Sequence, residues 1–219
     1  MENITKLIFI RHGESLGNAE RLVCGHLNVD LTEIGYKQAK KAAEYLKNEK
    51  IDVIYSSDLI RAYNTAFPHA QIRGLDVIKS KNLREVDVGA WENRYVDEII
   101  AEWGREEYYN AWIGGFGTYK FPSGESIPDA CERFYNEIMD ICSKNVGKTI
   151  LIVSHGAIIR AFWSKIRGVK PENIANEVPT PANASISIAY YENEKIIADI
   201  YSDSEYLVKN EFFTPVTIV

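Results

Sequence analysis

The chain has 219 residues, 46% of them apolar, and a formal net charge of −6. That length can bury a full core, so a single domain over 1–219 is expected, and the acidic balance argues against a nucleic-acid or anionic-membrane surface as main partner. Three cysteines without CxxC spacing (Cys24, Cys131, Cys142) and four scattered histidines (His12, His26, His69, His155) point to neither a disulfide framework nor a metal centre.

The apolar run Leu7-Ile8-Phe9-Ile10 predicts a buried strand at about 5–11. A strand so close to the first residue leaves no room for a signal peptide, and no apolar stretch approaches membrane-spanning length. A cytoplasmic protein is the expectation. Thr32 is placed to cap a helix whose inner face is Gly35, Ala39, Ala42, Ala43 and Leu46, spaced at three and four. A second strand at about 51–55 leads to another helix. Asp58 is its candidate N-cap with Ser57 as competitor, and Pro68 is expected to end or kink it early.

Further strands are expected at about 75–79, 149–154, 185–191 and 195–201. Ser126 and Asp129 form a capping-box-like start to a long amphipathic helix with Ile127, Ala130, Phe134, Ile138 and Ile141 on its apolar stripe. The last two strands, joined by Glu192-Asn193-Glu194, read as an antiparallel hairpin at the sheet edge. Strands alternating with helices favour an α/β fold with a mostly parallel central sheet covered on both faces. The apolar tail Phe212-Phe213-Thr214-Pro215-Val216 could cover the core or meet a partner, and the oligomeric state is open.

Residues 91–121 stand apart. They hold nine aromatics in 31 positions, among them Trp91, Trp103, Tyr108, Trp112 and Phe116. Such density fits a satellite core beneath an insertion, or a cap that gives a substrate pocket aromatic walls, or both. Aromatic walls would suit a partly apolar leaving group, such as an aryl or nucleoside-like phosphate.

Two strand ends carry the chemistry. Arg11-His12-Gly13-Glu14-Ser15 follows the first strand, and His155-Gly156 follows Ile150-Leu151-Ile152-Val153-Ser154. Open α/β sheets collect ligands at that edge, and Gly13 and Gly156 let the backbone approach one closely. A histidine there is often only a hydrogen-bonded edge residue; two such units suggest phosphoryl transfer through histidine. His12 is the candidate nucleophile, kept neutral by nearby guanidinium groups, with a carbonyl near Gly13 holding its other ring proton. Arg11 and Arg61 are candidate phosphate clamps, because guanidinium forks match phosphate oxygens in pairs. His155 is a second imidazole donor, charged or neutral, and Asn18 an uncharged one. Glu85 is the candidate proton donor, since a carboxyl beside a phosphate can carry a proton at working pH. Asp87 points the same way along an extended segment and remains its competitor.

Together these residues resemble the histidine phosphatase superfamily, also called phosphoglycerate mutase-like. The intermediate landmarks are Leu31-Thr32-Glu33-Ile34-Gly35, Ser56-Ser57-Asp58-Leu59-Ile60-Arg61-Ala62, Leu83-Arg84-Glu85, Pro122-Ser123-Gly124-Glu125-Ser126 and Asn183-Ala184-Ser185-Ile186. The resemblance implies a three-layer α/β/α sandwich with an antiparallel edge strand. It also implies that His12 becomes phosphorylated, that Glu85 is the acid, and that Arg11, Arg61 and His155 bind phosphate. Gly25, in a loop that borders phosphate in relatives, would allow close backbone approach. Gly89-Ala90-Trp91-Glu92 is like the phosphatase branch's Gly-x-Trp-Glu, while the histidine-tyrosine-glycine run and basic, proline-rich insertion of glycolytic mutases are missing. Asn93 stands where that branch often has glycine. The cations of 91–121 are Arg94, Arg105 and Lys120, few for a bisphosphate pocket. The expected activity is thus a metal-independent phosphomonoester hydrolase with no cofactor, acting on a small-molecule phosphate monoester. A cofactor-dependent phosphoglycerate mutase is the alternative, and a non-catalytic phospholigand-binding module a remoter one.

Overall fold

The computed structural model describes residues 4–208, so the apolar tail at 212–216 lies outside the described residues. Six strands fall on the six apolar runs: β1 (Thr5–Arg11), β2 (Val53–Ser57), β3 (Val77–Ser80), β4 (Thr149–Ser154), β5 (Ile186–Glu192) and β6 (Lys195–Asp203). They form one sheet in the order β3-β2-β4-β1-β5-β6. The first four strands in that order run parallel, β5 runs antiparallel to β1, and β6 antiparallel to β5. The strand that reverses direction is therefore one place in from the edge, and β6 is the edge itself. Its two-residue turn has Asn193 at φ 50° and Glu194 at φ 60°, the left-handed pair whose twist suits a tight hairpin.

Alternation along each strand divides the core into two layers. Leu7, Phe9, Ile150 and Ile152 face helices α3 (Ile127–Lys144) and α4 (Gly156–Ile166), where Phe134, Ile138, Phe162 and Trp163 are buried. Ile8, Ile10, Leu151 and Val153 face the other way, toward α1 (Glu33–Tyr45) and α2 (Ile60–Gln71) with their small residues Ala42, Ala62 and Ala66. The result is the expected three-layer α/β/α arrangement.

Thr32 caps α1 by accepting from the Gly35 amide, and Ser126 caps α3 by accepting from Asp129. The start of α2 differs from the expectation. Asp58 is no cap, because both its oxygens are taken by the Arg84 fork at 2.6 Å each. The amide of Ile60 donates instead to Asn28 Oδ1 at 2.7 Å, and that of Leu59 to Ser57 Oγ at 3.3 Å. Pro68 does not end α2 early either. The helix continues to Gln71, with His69 and Ala70 packed inward, so tertiary burial outweighs the lost intrahelical bond.

Candidate active site

Strand register brings the two histidines together. β1 pairs with β4 so that Arg11 lies opposite Ser154, one residue before each imidazole. The His12 amide donates to the Ser154 carbonyl at 2.9 Å, and the two ring centroids lie 5.2 Å apart. His12 Nδ1 donates to the Gly13 carbonyl at 2.7 Å, which fixes the tautomer and leaves Nε2 as the lone-pair nitrogen. The carbonyl anticipated from the sequence is thus in place. Burial, and after it the guanidiniums of Arg61 and Arg11, push the His12 imidazole well below its ordinary range. It is neutral at physiological pH, though burial contributes more than the cations first credited.

His155 is fully buried and held neutral in the same way, by burial first and Arg61 second. Neither of its ring nitrogens has a hydrogen-bond partner among the described residues, and the same is true of Arg11 Nε. Buried polar atoms normally find partners. Two of the unpartnered atoms at this strand-end cluster are donors, Arg11 Nε–H and the one N–H of the neutral His155 ring. Arg11 is anchored by Nη1 to the Pro181 carbonyl at 2.6 Å, and burial lowers its pKa to about 10, still charged at neutral pH. A Cβ on Gly156 would come within 3.2 Å of the Arg11 guanidinium carbon, so glycine there admits the cation.

Arg61 enters from the first turn of α2. Its two terminal nitrogens donate to the carbonyls of Leu27 (2.7 Å) and Gly25 (2.8 Å), locking the fork to the loop that follows the Arg11-His12 turn. Gly25, at φ 40°, occupies the left-handed region, where a side chain would also strike Val88. Asn18 Oδ1 accepts from the Ser15 amide, the Ser15 hydroxyl and Asn183 Nδ2, each at 3.1 Å. Its oxygen is committed, and Asn18 lines the cavity.

Glu85 closes the cluster from the loop after β3. Its carboxylate sits on the amino end of α4, taking the Ala157 amide on Oε2 (3.0 Å) and the Ile158 amide on Oε1 (2.9 Å). Asp87 turns away: its Oδ1 accepts the Gly89 amide, and it does not line the cavity. Of the two carboxyls left open by the sequence, Glu85 lines the cavity and Asp87 does not.

A cavity of about 220 Å³ opens over these groups. Arg11, His12, Asn18, Gly25, Arg61, Glu85 and Gly156 line it, with His155 buried beneath. Tyr108, Trp112 and Phe116 wall the far side, and the segment that carries them is tied to the site by pairing of Leu22–Val23 with Arg94–Tyr95. Behind that wall Trp91 packs against Trp103, Tyr108, Tyr119 and Phe121, with centroids 5.5–6.1 Å apart. Asn93, in the glycine position of the phosphatase pattern, adopts φ 59°, as asparagine tolerates.

Arg160 and Asn183 were missed in the sequence. Arg160 lies one helical turn past Gly156 and lines the cavity; its Nη1 donates to the Trp112 carbonyl and its Nε to that of Val178, both at 2.7 Å. The i, i+4 spacing from Gly156 was its one signal. Asn183 donates to the His12 carbonyl at 3.1 Å as well as to Asn18.

A model of the histidine phosphatase superfamily (branch 1) matches residues 7–204, and the chain belongs to that family. Two Arabidopsis thaliana proteins are similar over most of their length. The metal-independent phosphoserine phosphatase is 31% identical over 93% of this chain and 84% of its own. Phosphoglycerate mutase-like protein 4 is 32% identical over 94% of this chain and 89% of its own. Among solved structures, Bacillus stearothermophilus YhfR superposes with a TM-score of 0.86 at 25% identity, covering 93% of this chain and 99% of that one.

Proposed function

We propose that this chain is a metal-independent phosphomonoester hydrolase working through a phosphohistidine on His12. The observation that carries it is the meeting, in one cavity, of a neutral imidazole with a defined lone pair, two buried arginines and the Glu85 carboxyl. Arg11, Arg61, Asn18 and the His155 ring supply donors for the phosphoryl oxygens. In the first step the His12 Nε2–phosphorus bond forms as the bond to the ester oxygen breaks, and the Glu85 carboxyl gives that oxygen its proton. In the second, water attacks phosphorus, its proton goes to the Glu85 carboxylate, and inorganic phosphate leaves with the nitrogen–phosphorus bond broken.

The chain acts as one domain in which residues 91–121 form the cap. The aromatic wall supports an ester whose leaving group has an apolar face. The relative named for phosphoserine supports a small amino-acid ester. Three free thiols, Cys24, Cys131 and Cys142, support a reducing, cytoplasmic setting, and no helix among the described residues is long and apolar enough to cross a membrane.

The test is phosphate release in metal-free buffer from p-nitrophenyl phosphate, O-phosphoserine and 3-phosphoglycerate, with isomerised product measured beside it. Wild-type enzyme should yield phosphate and an acid-labile, alkali-stable label, and His12→Ala neither. Full turnover by that variant would refute the mechanism. The mutase reading, kept by the mutase-like relative, requires isomerisation of 3-phosphoglycerate faster than phosphate release after priming with a bisphosphoglycerate.

A further inference from the structure

Pro122-Ser123-Gly124-Glu125-Ser126 is a landmark of the sequence that the chemistry above leaves unused. Its Glu125 does not line the cavity. It forms a two-point ion pair with Arg133 on α3: Nε to Oε1 at 2.8 Å and Nη2 to Oε2 at 2.9 Å. The remaining donor capacity of Arg133 is spent on one short stretch of chain. Nη1 donates to the carbonyls of Asn82 (2.8 Å) and Arg84 (3.3 Å), and Nη2 to that of Glu85 (3.0 Å).

Glu125 grips the same stretch from its other side. Its Oε2 accepts the Asp87 amide at 3.0 Å, and its own amide donates to the Asp87 carbonyl at 2.8 Å. A third side chain, His26, donates from Nε2 to the Glu85 carbonyl at 2.8 Å. The Glu85 carbonyl is thus held by two side-chain donors, Arg133 and His26, the carbonyls of Asn82, Arg84 and Glu85 by one arginine fork, and Asp87 by Glu125. That stretch lacks regular structure from residue 84 to 88. The Val86 amide meets Glu85 Oε1 at 3.0 Å beside the α4 amides, so the carboxyl follows the path of this irregular backbone, and the side chains of Arg133, Glu125 and His26 hold that path.

We propose that the Glu125–Arg133 pair, with His26, is a positioning device that sets the Glu85 carboxyl against the leaving oxygen. The proposal rests on the reading of Glu85 as the acid. Both side chains of the pair are about a fifth to a quarter exposed and meet at two points, so the pair contributes to stability as well as to position. What the fork supplies is direction: its planar donors match several carbonyls at once, which a lysine cannot do.

The readout is kcat/KM, which reports events up to phosphorylation of His12, on two esters. O-phosphoserine has a poor leaving group that needs a proton; dinitrophenyl phosphate has one that does not. Arg133→Met and Glu125→Gln should each lower kcat/KM for O-phosphoserine by about 10- to 100-fold and for dinitrophenyl phosphate by less than about threefold, as expected when only general-acid assistance is lost. In a Glu85→Gln background neither substitution should cost anything more on O-phosphoserine, since both act through one group. Equal losses on the two esters, or losses that add to that of Glu85→Gln, would overturn the proposal in favour of a general structural role. Should Arg133→Met fail to fold, Arg133→Lys and Glu125→Gln read the same ratio. Glu85→Gln itself showing equal losses on both esters would overturn the acid assignment, and the positioning role with it.

Discussion

The guanidinium of Arg61 has its two terminal nitrogens on the Gly25 and Leu27 carbonyls, so the same group that would meet phosphate also shapes the loop beside it. A lysine at this position keeps the charge and loses the fork. Arg61→Lys should therefore lower kcat/KM by roughly 30-fold, the equivalent of about 2 kcal/mol for charged hydrogen bonds lost. Steady-state kinetics on p-nitrophenyl phosphate measure it, and a loss under about threefold would show the fork to be dispensable. Charge alone would then be enough at that corner of the cavity.

At the scale of elements, the turn after β1 and the start of α1 lock together through backbone contact. The Glu14 carbonyl accepts the Thr32 amide at 2.9 Å, and a Cβ on Gly35 would lie 2.0 Å from that same carbonyl oxygen. A Cβ on Gly13 would lie 2.6 Å from the Gly35 oxygen. The Gly13 amide in turn donates to Thr65 of α2, so both helices of this layer help set the His12 turn. Gly35→Ala must push Glu14 aside, and overpacking of this kind costs about 1–3 kcal/mol. Urea melts should show that loss together with a fall in kcat/KM. Ala39→Gly, buried on the same helix away from the turn, should lose comparable stability and keep its activity. Parallel behaviour of the two variants would mean that the turn is not held from α1.

Across the whole molecule, stability should depend on pH through histidines buried without charge. His69 is fully enclosed on α2 with neither ring nitrogen bonded among the described residues, and burial, with Arg73 second, pushes its pKa down to about 3. The folded chain keeps this imidazole neutral, whereas the unfolded chain protonates it below about 6.5. Its contribution is therefore complete above that value and is lost as pH falls toward about 3. His69→Leu should flatten the dependence of unfolding free energy on pH between about 6.5 and 4 by about 1.4 kcal/mol per pH unit, with little change at neutral pH. An unchanged slope in denaturant melts would mean that the group titrates normally in the folded state.

Much of this was legible from the chain itself, because it rests on local rules. Apolar runs with period two or about 3.6 mark strands and helices by which face they bury, so six strands and the long helices could be placed from sequence. A strand-end histidine beside glycine is likewise a local signal, and the ordered landmarks set Glu85 and Arg61 beside it. What required the folded molecule was every relation between distant segments. Only the β1–β4 register puts His12 against His155, and only the seating of Glu85 on the α4 amides separates it from Asp87. Asp58 shows the limit clearly: its local environment says helix cap, yet the Arg84 fork, 26 residues away, takes both its oxygens. Periodicity reports which face a residue buries; it carries no information about which of several donors will arrive there, and that choice belongs to the packed structure.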